Sequence, residues 1–369
     1  MDFTLDESEQ AIADLAQQVL ADASSHEQLR ALEHGSGARF DQKLWATLAE
    51  TGILGAFVPA AHGGAGLGLV AMAATLEAAG RCAAAVPLWE TLALGVLPVA
   101  EFAAADLAAE ILPAVAAGDM VLTAGWHEDQ GDCLAPTVIA TRVGDDYRLT
   151  GTKICVPAGM VADAVVVPAA LEDTGSVGLF LVRTERSGVA REPLTTTLGD
   201  PQAALLLADA PADLVGEGRE CLEWAYQRAV AAQCSLAAGV CAGDLELIAS
   251  YTKERKQFDV PIASFQAVAH RAADAYMDTE AIQITSRAAM WRLQEGMEAA
   301  NEVDVAKYWA ASAGHRIVHA GQHLHGGTGV DRDYPLHRYF FMAKELELQL
   351  GGASEHLRSL GARLAAQPV

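Results

Sequence analysis

The stretch Tyr251-Thr-Lys-Glu-Arg-Lys-Gln-Phe-Asp-Val-Pro-Ile-Ala-Ser-Phe-Gln266 joins two long apolar segments that read as helices. Pro261 lacks a backbone donor and disfavours helix, so it predicts the end of the first helix. Ser264 has the side chain of a helix N-cap, which predicts that the second helix begins just after it. Arg255 lies between the two, and its planar guanidinium can bind two phosphate oxygens at once. The stretch therefore predicts a phosphate-binding turn between two helices.

The neighbours of this arginine suit the same role. Gln257 supplies an amide, and Phe258 supplies a ring for stacking. Gln266 opens the second helix, where unpaired backbone N–H groups favour an anion. Spacing alone leaves an alternative open, in which the arginine forms a helix-end salt bridge with Glu254 or Asp259.

A glycine-rich signal, His323-Leu-His-Gly-Gly-Thr-Gly329, follows some sixty residues downstream. The tandem glycines Gly326 and Gly327 permit close approach of a ligand or of another backbone. His315, His319 and His323 are spaced by four residues, so they share a helix face. A metal site is disfavoured because no carboxylate pattern and no HExxH motif accompany them. We interpret the glycines as a second part of the site for a dinucleotide phosphate, the alternative being a packing turn.

Composition excludes several function classes. The 369 residues carry a formal net charge of −23, with 48 acidic against 25 basic residues. This acidity argues against nucleic acid and anionic membranes as main partners. The six cysteines show no CxxC spacing, so neither a zinc site nor a disulfide framework is expected. The acidic start of the chain is unlike a secretory signal, which predicts a cytoplasmic protein.

Hydrophobic periodicity predicts an α+β multidomain protein that is mainly α. Residues 1–119 show helical stripes and predict an N-terminal α domain. Residues 120–218 contain short apolar runs between turn residues and predict a middle antiparallel β domain. Residues 219–369 predict a C-terminal four-helix bundle, since long apolar helices follow one another through short loops. The helices of this third domain are predicted over residues 228–252, 265–294, 303–322 and 335–364, the last interrupted at Gly351-Gly352.

These motifs and their order resemble the acyl-CoA dehydrogenase family over the whole chain. Tyr251–Gln266 resembles the pattern YxxxRxQFGxPIxxFQ, and His323–Pro335 resembles QxHGGxGxxxxxP. Gly151-Thr-Lys153 with Ala162-Asp163 resembles GTKxWITNGxxAD, and Val58–Leu67 resembles VPExxGGxGL. The resemblance implies an N-terminal α domain, a β domain and a C-terminal four-helix bundle, with FAD as cofactor. It also implies oxidation of an acyl-CoA, in which a carboxylate takes the α proton and FAD takes the β hydride.

The resemblance implies that each FAD is shared between two subunits. One subunit holds the flavin ring in its β domain, and the C-terminal domain of its neighbour holds the ADP half. Residues of this chain that match the second role are Arg255, Gln257, Phe258, Gln266, His323, Gly326 and Gly327. His323 replaces the glutamine of the family motif, and Asp259 replaces its glycine.

The positions that serve a subunit's own active site depart from the family pattern. His127 and Cys133 stand at the Thr and Ser of the flavin-contacting TEPxxGS, and Cys155 replaces the Trp of WIT. Counted from Pro335, the usual catalytic Glu falls at Leu350, and the alternative base position falls near Ala229. Neither side chain accepts a proton, and losing a general base costs roughly a hundred- to ten-thousandfold in rate.

This pattern resembles the β-type subunits of actinobacterial two-plus-two heterotetrameric dehydrogenases of sterol side chains, and especially those acting on a steroid C26 acyl-CoA. The implied partners are a catalytic α-type subunit, an acyl-CoA substrate and an electron-transfer flavoprotein as acceptor. Two alternatives remain. One is a homomeric enzyme with a displaced base at Glu345, Glu347 or Glu355. The other is a flavin-free assembly protein on the same scaffold.

Overall fold

A computed structural model describes residues 3–35 and 37–366. The chain divides into two compact units. The bundle unit comprises Met1–Ala31, Leu69–Ala84 and Val230–Val369, and the sheet unit comprises Leu32–Gly68 and Ala85–Ala229.

The first third of the chain is helical, as its periodicity predicts. Helix α1 starts with a capping box, because the Asp6 carboxylate accepts from the N–H groups of Ser8 and Glu9 while the Glu9 side chain accepts from the Asp6 N–H. The helices are α1 (Glu7–Ala23), α2 (His26–Glu33), α3 (Gln42–Glu50), α4 (Leu69–Arg81), a π-helix (Glu90–Val96), α5 (Leu97–Phe102) and α6 (Ala105–Ala116), with short 3-10 turns at Gly55–Phe57 and Ala60–His62.

The sheet unit is built on a mixed, mostly antiparallel sheet. Its strands are β1 (Leu122–Ala124), β2 (Ile139–Val143), β3 (Asp146–Val156), β4 (Ala164–Leu171), β5 (Val177–Arg183), β6 (Val189–Pro193) and β7 (Ala203–Glu217). Their order is β1-β4-β2-β3-β7-β5, with β6 beside β7. Since β5 also pairs with β4, five strands close into a ring. The predicted antiparallel arrangement holds except where β4 runs parallel to β1 and to β2.

The last third contains five helices, joined by short turns, in the part of the chain that the structure describes. They are α7 (Arg219–Glu254), α8 (Gln266–Gln294), α9 (Ala300–His325), α10 (Leu336–Leu348) and α11 (Ala353–Ala366), with 3-10 turns at Ile262–Ser264 and Gly326–Val330. Helix α7 starts nine residues before the predicted one, and the last predicted helix is split at the expected glycine pair. The predicted order of helical, sheet and helical regions is confirmed.

Helix α7 is apolar around its whole circumference, and its surroundings explain why. By length and composition it is the one described helix that could cross a bilayer, but 78% of its most apolar window is buried within the protein. It crosses α4 closely through two glycines. A Cβ on Gly80 would lie 2.2 Å from the carbonyl oxygen of Leu236, and a Cβ on Gly239 would lie 1.9 Å from that of Glu77. Only glycine permits this backbone contact.

One carboxyl group lies inside the bundle unit without compensation. Asp244 of α7 is fully buried, and neither of its carboxyl oxygens has a hydrogen-bond partner among the described residues. Burial raises the pKa of Asp244 well above its usual range. A buried acid of this kind stays protonated, because ionisation without a partner is expensive.

We expect Asp244→Asn to stabilise the chain increasingly as pH rises. The pKa of Asp244 is higher in the folded than in the unfolded state. The contribution of Asp244 to the stability of the wild type therefore falls as pH rises above about 4, and the neutral variant lacks this loss. At pH 7 the variant should be more stable by at least about 1.4 kcal/mol, the equivalent of one pKa unit. Denaturant midpoints between pH 4 and pH 8 measure this. The exposed Asp173→Asn is the control, and identical pH profiles for both variants would contradict the prediction.

Candidate functional site

The stretch predicted to bind phosphate forms a tight hairpin between α7 and α8. Lys256–Gln257 pairs antiparallel with Val260–Pro261, and the two residues between them form the turn. Phe258 and Asp259 both adopt left-handed φ values, 54° and 65°, as a type I′ turn requires. Aspartate tolerates this region better than most residues, which explains how it replaces the family's glycine. The turn places the Phe258 ring 87% exposed at the tip.

The guanidinium of Arg255 is available for a ligand. The backbone N–H of Arg255 continues the helix by donating to the Tyr251 carbonyl. The Arg255 carbonyl accepts from the Ile262 N–H. The side chain is exposed, and within residues 3–35 and 37–366 it forms no salt bridge with Glu254 or Asp259. The structure therefore does not support the helix-end salt bridge that spacing left open.

The start of α8 also leaves donors unused. Phe265 occupies the N-cap position, and no side chain caps the helix there. The predicted N-cap Ser264 is wrong, because its hydroxyl donates to the Pro261 carbonyl at 2.7 Å within a 3-10 turn. The first backbone N–H groups of α8, beginning at Gln266, remain available for an anion. The exposed Gln266 side chain lies 3.5 Å from the ring of His270.

The second predicted motif ends α9. Gly326 has φ 57° and ψ −132°, and it begins the 3-10 turn. His323, Gly326 and Gly327 are exposed. A Cβ on either glycine would meet nothing within 4 Å, so open space adjoins the backbone there. This surface can admit a ligand.

An aromatic cluster brings the two motifs together. The rings of Tyr251 and His325 stack with centroids 4.4 Å apart. His325 Nδ1 donates to the Gly321 carbonyl at 2.8 Å, which leaves Nε2 as acceptor for the Tyr334 hydroxyl at 3.3 Å. Burial lowers the pKa of His325 and keeps the imidazole neutral. The Tyr251 hydroxyl also lies 3.4 Å from the Thr328 hydroxyl, inside the second motif.

Sequence reasoning did not identify His325 as the residue that joins these motifs. No local sequence pattern distinguishes a histidine whose ring is buried and stacked from one whose ring is exposed. Of the other histidines, His315 and His319 stack at 4.1 Å as their spacing predicts. No cluster suited to a metal is present among the described residues.

The two positions expected for a catalytic base are both buried and apolar. Leu350 is 1% exposed and has φ 57°. Ala229 is also 1% exposed, and its carbonyl oxygen accepts from Trp89 Nε1 at 3.0 Å. Neither side chain can take a proton. Among the candidates for a displaced base, Glu347 is held by Lys344 Nζ at 2.5 Å and by His315 Nδ1 at 3.1 Å.

In the segment expected to contact the flavin ring, the side chains differ from those of the family motif. His127 forms an antiparallel bridge with Ile154, and the Cys133 sulfur lies 3.9 Å from His127 Nδ1. Cys155 is exposed and has φ 49°. The hydroxyl groups and the indole expected of the family at these positions are replaced by an imidazole and two thiols.

The same two motifs contribute a buried ion pair. Lys153 Nζ contacts the Glu128 carboxylate at 2.5 Å, and their side chains are 0% and 7% exposed. Burial opposes ionisation of Glu128, but hydrogen bonds from Lys153 and Thr137 outweigh it and lower the pKa of Glu128. Burial also lowers the pKa of Lys153, and the contact with Glu128 offsets this only in part. Glu128 further accepts from the N–H groups of Thr137 and Val138.

The described residues fit one half of FAD. An unpaired guanidinium, uncapped helix N–H groups and an open glycine pair lie at the joined helix ends and suit a pyrophosphate. The exposed Phe258 ring adds a stacking surface. The flavin-contacting segment lacks the hydroxyl donor that the family motif provides.

Two family models match the chain. The description "Acyl-CoA dehydrogenase, N-terminal domain" covers residues 6–119, and "Acyl-CoA dehydrogenase, C-terminal domain" covers residues 216–365. The chain belongs to the acyl-CoA dehydrogenase family, a class of oxidoreductases whose cofactor is FAD.

Relatives extend the match to the full length. The acyl-CoA dehydrogenase FadE27 of Mycobacterium tuberculosis is 37% identical over 379 aligned positions, covering 100% of both chains. A chain of the ChsE4-ChsE5 complex from Mycobacterium tuberculosis superposes with a TM-score of 0.94 at 38% identity, again over 100% of both chains. A chain from a variant of the Tcur3481-Tcur3483 steroid ACAD gives a TM-score of 0.92 at 41% identity, over 98% of this chain and 99% of that one.

We expect Glu128→Gln to destabilise the chain by about 3–5 kcal/mol, because it leaves the buried Lys153 ammonium without its counter-charge. Urea unfolding measures the change. Glu223→Gln is the control, since Glu223 pairs with Arg219 at the surface and its loss should cost about 0.5 kcal/mol or less. Equal losses of unfolding free energy in the two variants would show that the buried pair contributes no more than the surface pair.

Proposed function

We propose that this chain is one subunit of a heteromeric, FAD-dependent acyl-CoA dehydrogenase. It supplies the ADP half of the FAD site to a partner subunit that carries the catalytic base. One observation carries the proposal: Arg255 is exposed and forms no salt bridge among the described residues, whereas both base positions are apolar, at Leu350 and Ala229.

The chain's own residues have distinct tasks in this function. Arg255 and the uncapped start of α8 hold the pyrophosphate, and Phe258 offers a ring to the adenosine. His323 and Gly327 line the same surface from the end of α9. FAD, when bound, supplies the acceptor for the hydride of the acyl group. Taking the α proton falls to the partner, because this chain has no acid at either expected position.

The kind of partner and substrate is inferred from the relatives. Two of the most similar structures are of complexes named for two proteins each, and one is described as a steroid ACAD. Identities of 38% and 41% over nearly complete chains support an analogous α-type partner and a sterol side-chain CoA thioester for this protein. We further propose that an electron-transfer flavoprotein accepts the electrons. We also propose that the protein is cytoplasmic.

We expect Arg255→Ala to weaken FAD binding in the assembled complex by roughly tenfold to a hundredfold, the loss of a charge-assisted hydrogen bond of about 1.5–3 kcal/mol. Lys253→Ala is the matched control, since Lys253 is an exposed cation two residues earlier on α7. The flavin-to-protein ratio after dialysis, and titration of the FAD-depleted complex with FAD, measure the effect.

Unchanged FAD affinity in Arg255→Ala would favour the flavin-free assembly protein instead. Full dehydrogenase activity of the chain purified without a partner would contradict the heteromeric function. These results are independent, because the first concerns the cofactor and the second concerns the base.

A homomeric enzyme with a displaced base is the second candidate, because Glu347 lies about one helical turn before Leu350 and is half-buried. Its carboxylate is already paired with Lys344 and His315, so we expect Glu347→Gln to leave turnover of the complex within about threefold of wild type. Steady-state rates with a steroid acyl-CoA measure this. A fall of a hundredfold or more, the size of a general-base effect, would make this glutamate the base.

A further inference from the structure

An aromatic contact joins the two segments that are predicted to bind phosphate. The rings of Tyr251 and His325 are stacked, with 29° between their planes and 4.4 Å between their centroids. His325 is 2% exposed, whereas Arg255, Gly326 and Gly327 are exposed. The His325 ring is therefore packed inside the bundle unit, and it can act on a ligand at the surface only through its neighbours.

On the α7 side, Tyr251 is placed to orient Arg255. The backbone N–H of Arg255 donates to the Tyr251 carbonyl at 2.8 Å, so the two residues lie one helical turn apart. Helix α7 ends at Glu254, and the ends of helices fray where no tertiary contact holds them. The stack holds the Tyr251 ring, and with it the turn from which the Arg255 side chain projects.

On the α9 side, His325 is held in place before the glycine turn. It is the last residue of α9, and Gly326 follows it directly. Its Nδ1 donates to the Gly321 carbonyl at 2.8 Å, and the Tyr334 hydroxyl lies 3.3 Å from its Nε2. The Tyr334 ring also packs edge-on against Tyr251, with 6.3 Å between the centroids. The three rings form one packed unit that joins the end of α7 to the glycine turn.

We propose that Tyr251 and His325 are positioning residues for the cofactor, because their stack holds Arg255 where it reaches the pyrophosphate of FAD. The proposal rests on the proposed function, in which Arg255 binds that pyrophosphate. A guanidinium on an ordered helix end loses less conformational entropy on binding than one on a frayed turn. The stack therefore strengthens FAD binding without contact between the rings and the ligand.

The test is a double-mutant cycle on FAD affinity, measured by titrating the FAD-depleted complex with FAD. Tyr251→Leu is made with Arg255 present and with Arg255→Ala, and it removes the ring while keeping an apolar side chain. Tyr308→Leu is the matched control, because Tyr308 is also a half-buried tyrosine of the bundle unit and its ring packs on Trp309.

With Arg255 present, we expect Tyr251→Leu to weaken FAD binding by roughly threefold to tenfold, the range of one aromatic pair. In the Arg255→Ala background the same change should weaken binding by less than about twofold, because the stack then has no guanidinium to position. Tyr251→Phe keeps the stack, so it should weaken binding less than Tyr251→Leu does. Tyr308→Leu should leave FAD affinity unchanged.

An equal loss of FAD affinity in the two backgrounds would overturn the proposal, because Tyr251 would then touch the cofactor itself or act on the whole fold. Unchanged affinity in Tyr251→Leu would also overturn it. If Tyr251→Leu does not fold, the cycle is run with His325→Asn, which removes the other ring, keeps a donor for the Gly321 carbonyl and has the same expected results. Failure of the proposed function shows separately, as unchanged FAD affinity in Arg255→Ala alone.

Discussion

The stacking of Tyr251 on His325 is the contact on which the proposed cofactor surface depends. Tyr251 belongs to the last turn of α7 and His325 is the last residue of α9. Their stacked rings, whose centroids lie 4.4 Å apart, hold the ends of the two helices together. This contact ties the segment that carries Arg255 to the segment that carries Gly327. The neutral imidazole suits the position, because both of its nitrogens are hydrogen-bonded and burial opposes a charge.

Positively charged side chains are exposed near that surface, although the chain as a whole is acidic. The chain as a whole carries −23, yet Arg255 and Lys256 are adjacent and exposed where α7 meets the hairpin. A local cluster of this kind attracts phosphate over the short range where screening by salt is incomplete. In the sheet unit, by contrast, the buried Lys153 is already neutralised by Glu128. The positive side chains are therefore exposed near the end of α7, whereas Lys153, in the segment expected to contact the flavin ring, is buried.

Local signals in the sequence predicted the helices, the turn between α7 and α8 and the glycine turn, because proline, tandem glycines and apolar periodicity act over a few residues. The order of helical and sheet regions followed in the same way. Features that depend on distant partners were not predictable. Ser264 has the side chain of an N-cap but bonds back to Pro261, and parallel pairing of β4 depends on strands far along the chain. The site residues themselves remain predictions, drawn from the family resemblance.

Leu350 lies in a turn whose neighbouring carbonyl groups are hydrogen-bonded from inside the bundle unit. The last carbonyl groups of α10 have no partners within the helix, and a buried unpaired carbonyl is costly. Lys307 satisfies two of them, and Gln233 and Gln349 complete its coordination. Each member now depends on the others, since a buried cation cannot lose an acceptor cheaply. The turn that contains Leu350 is therefore held by a network whose members depend on one another.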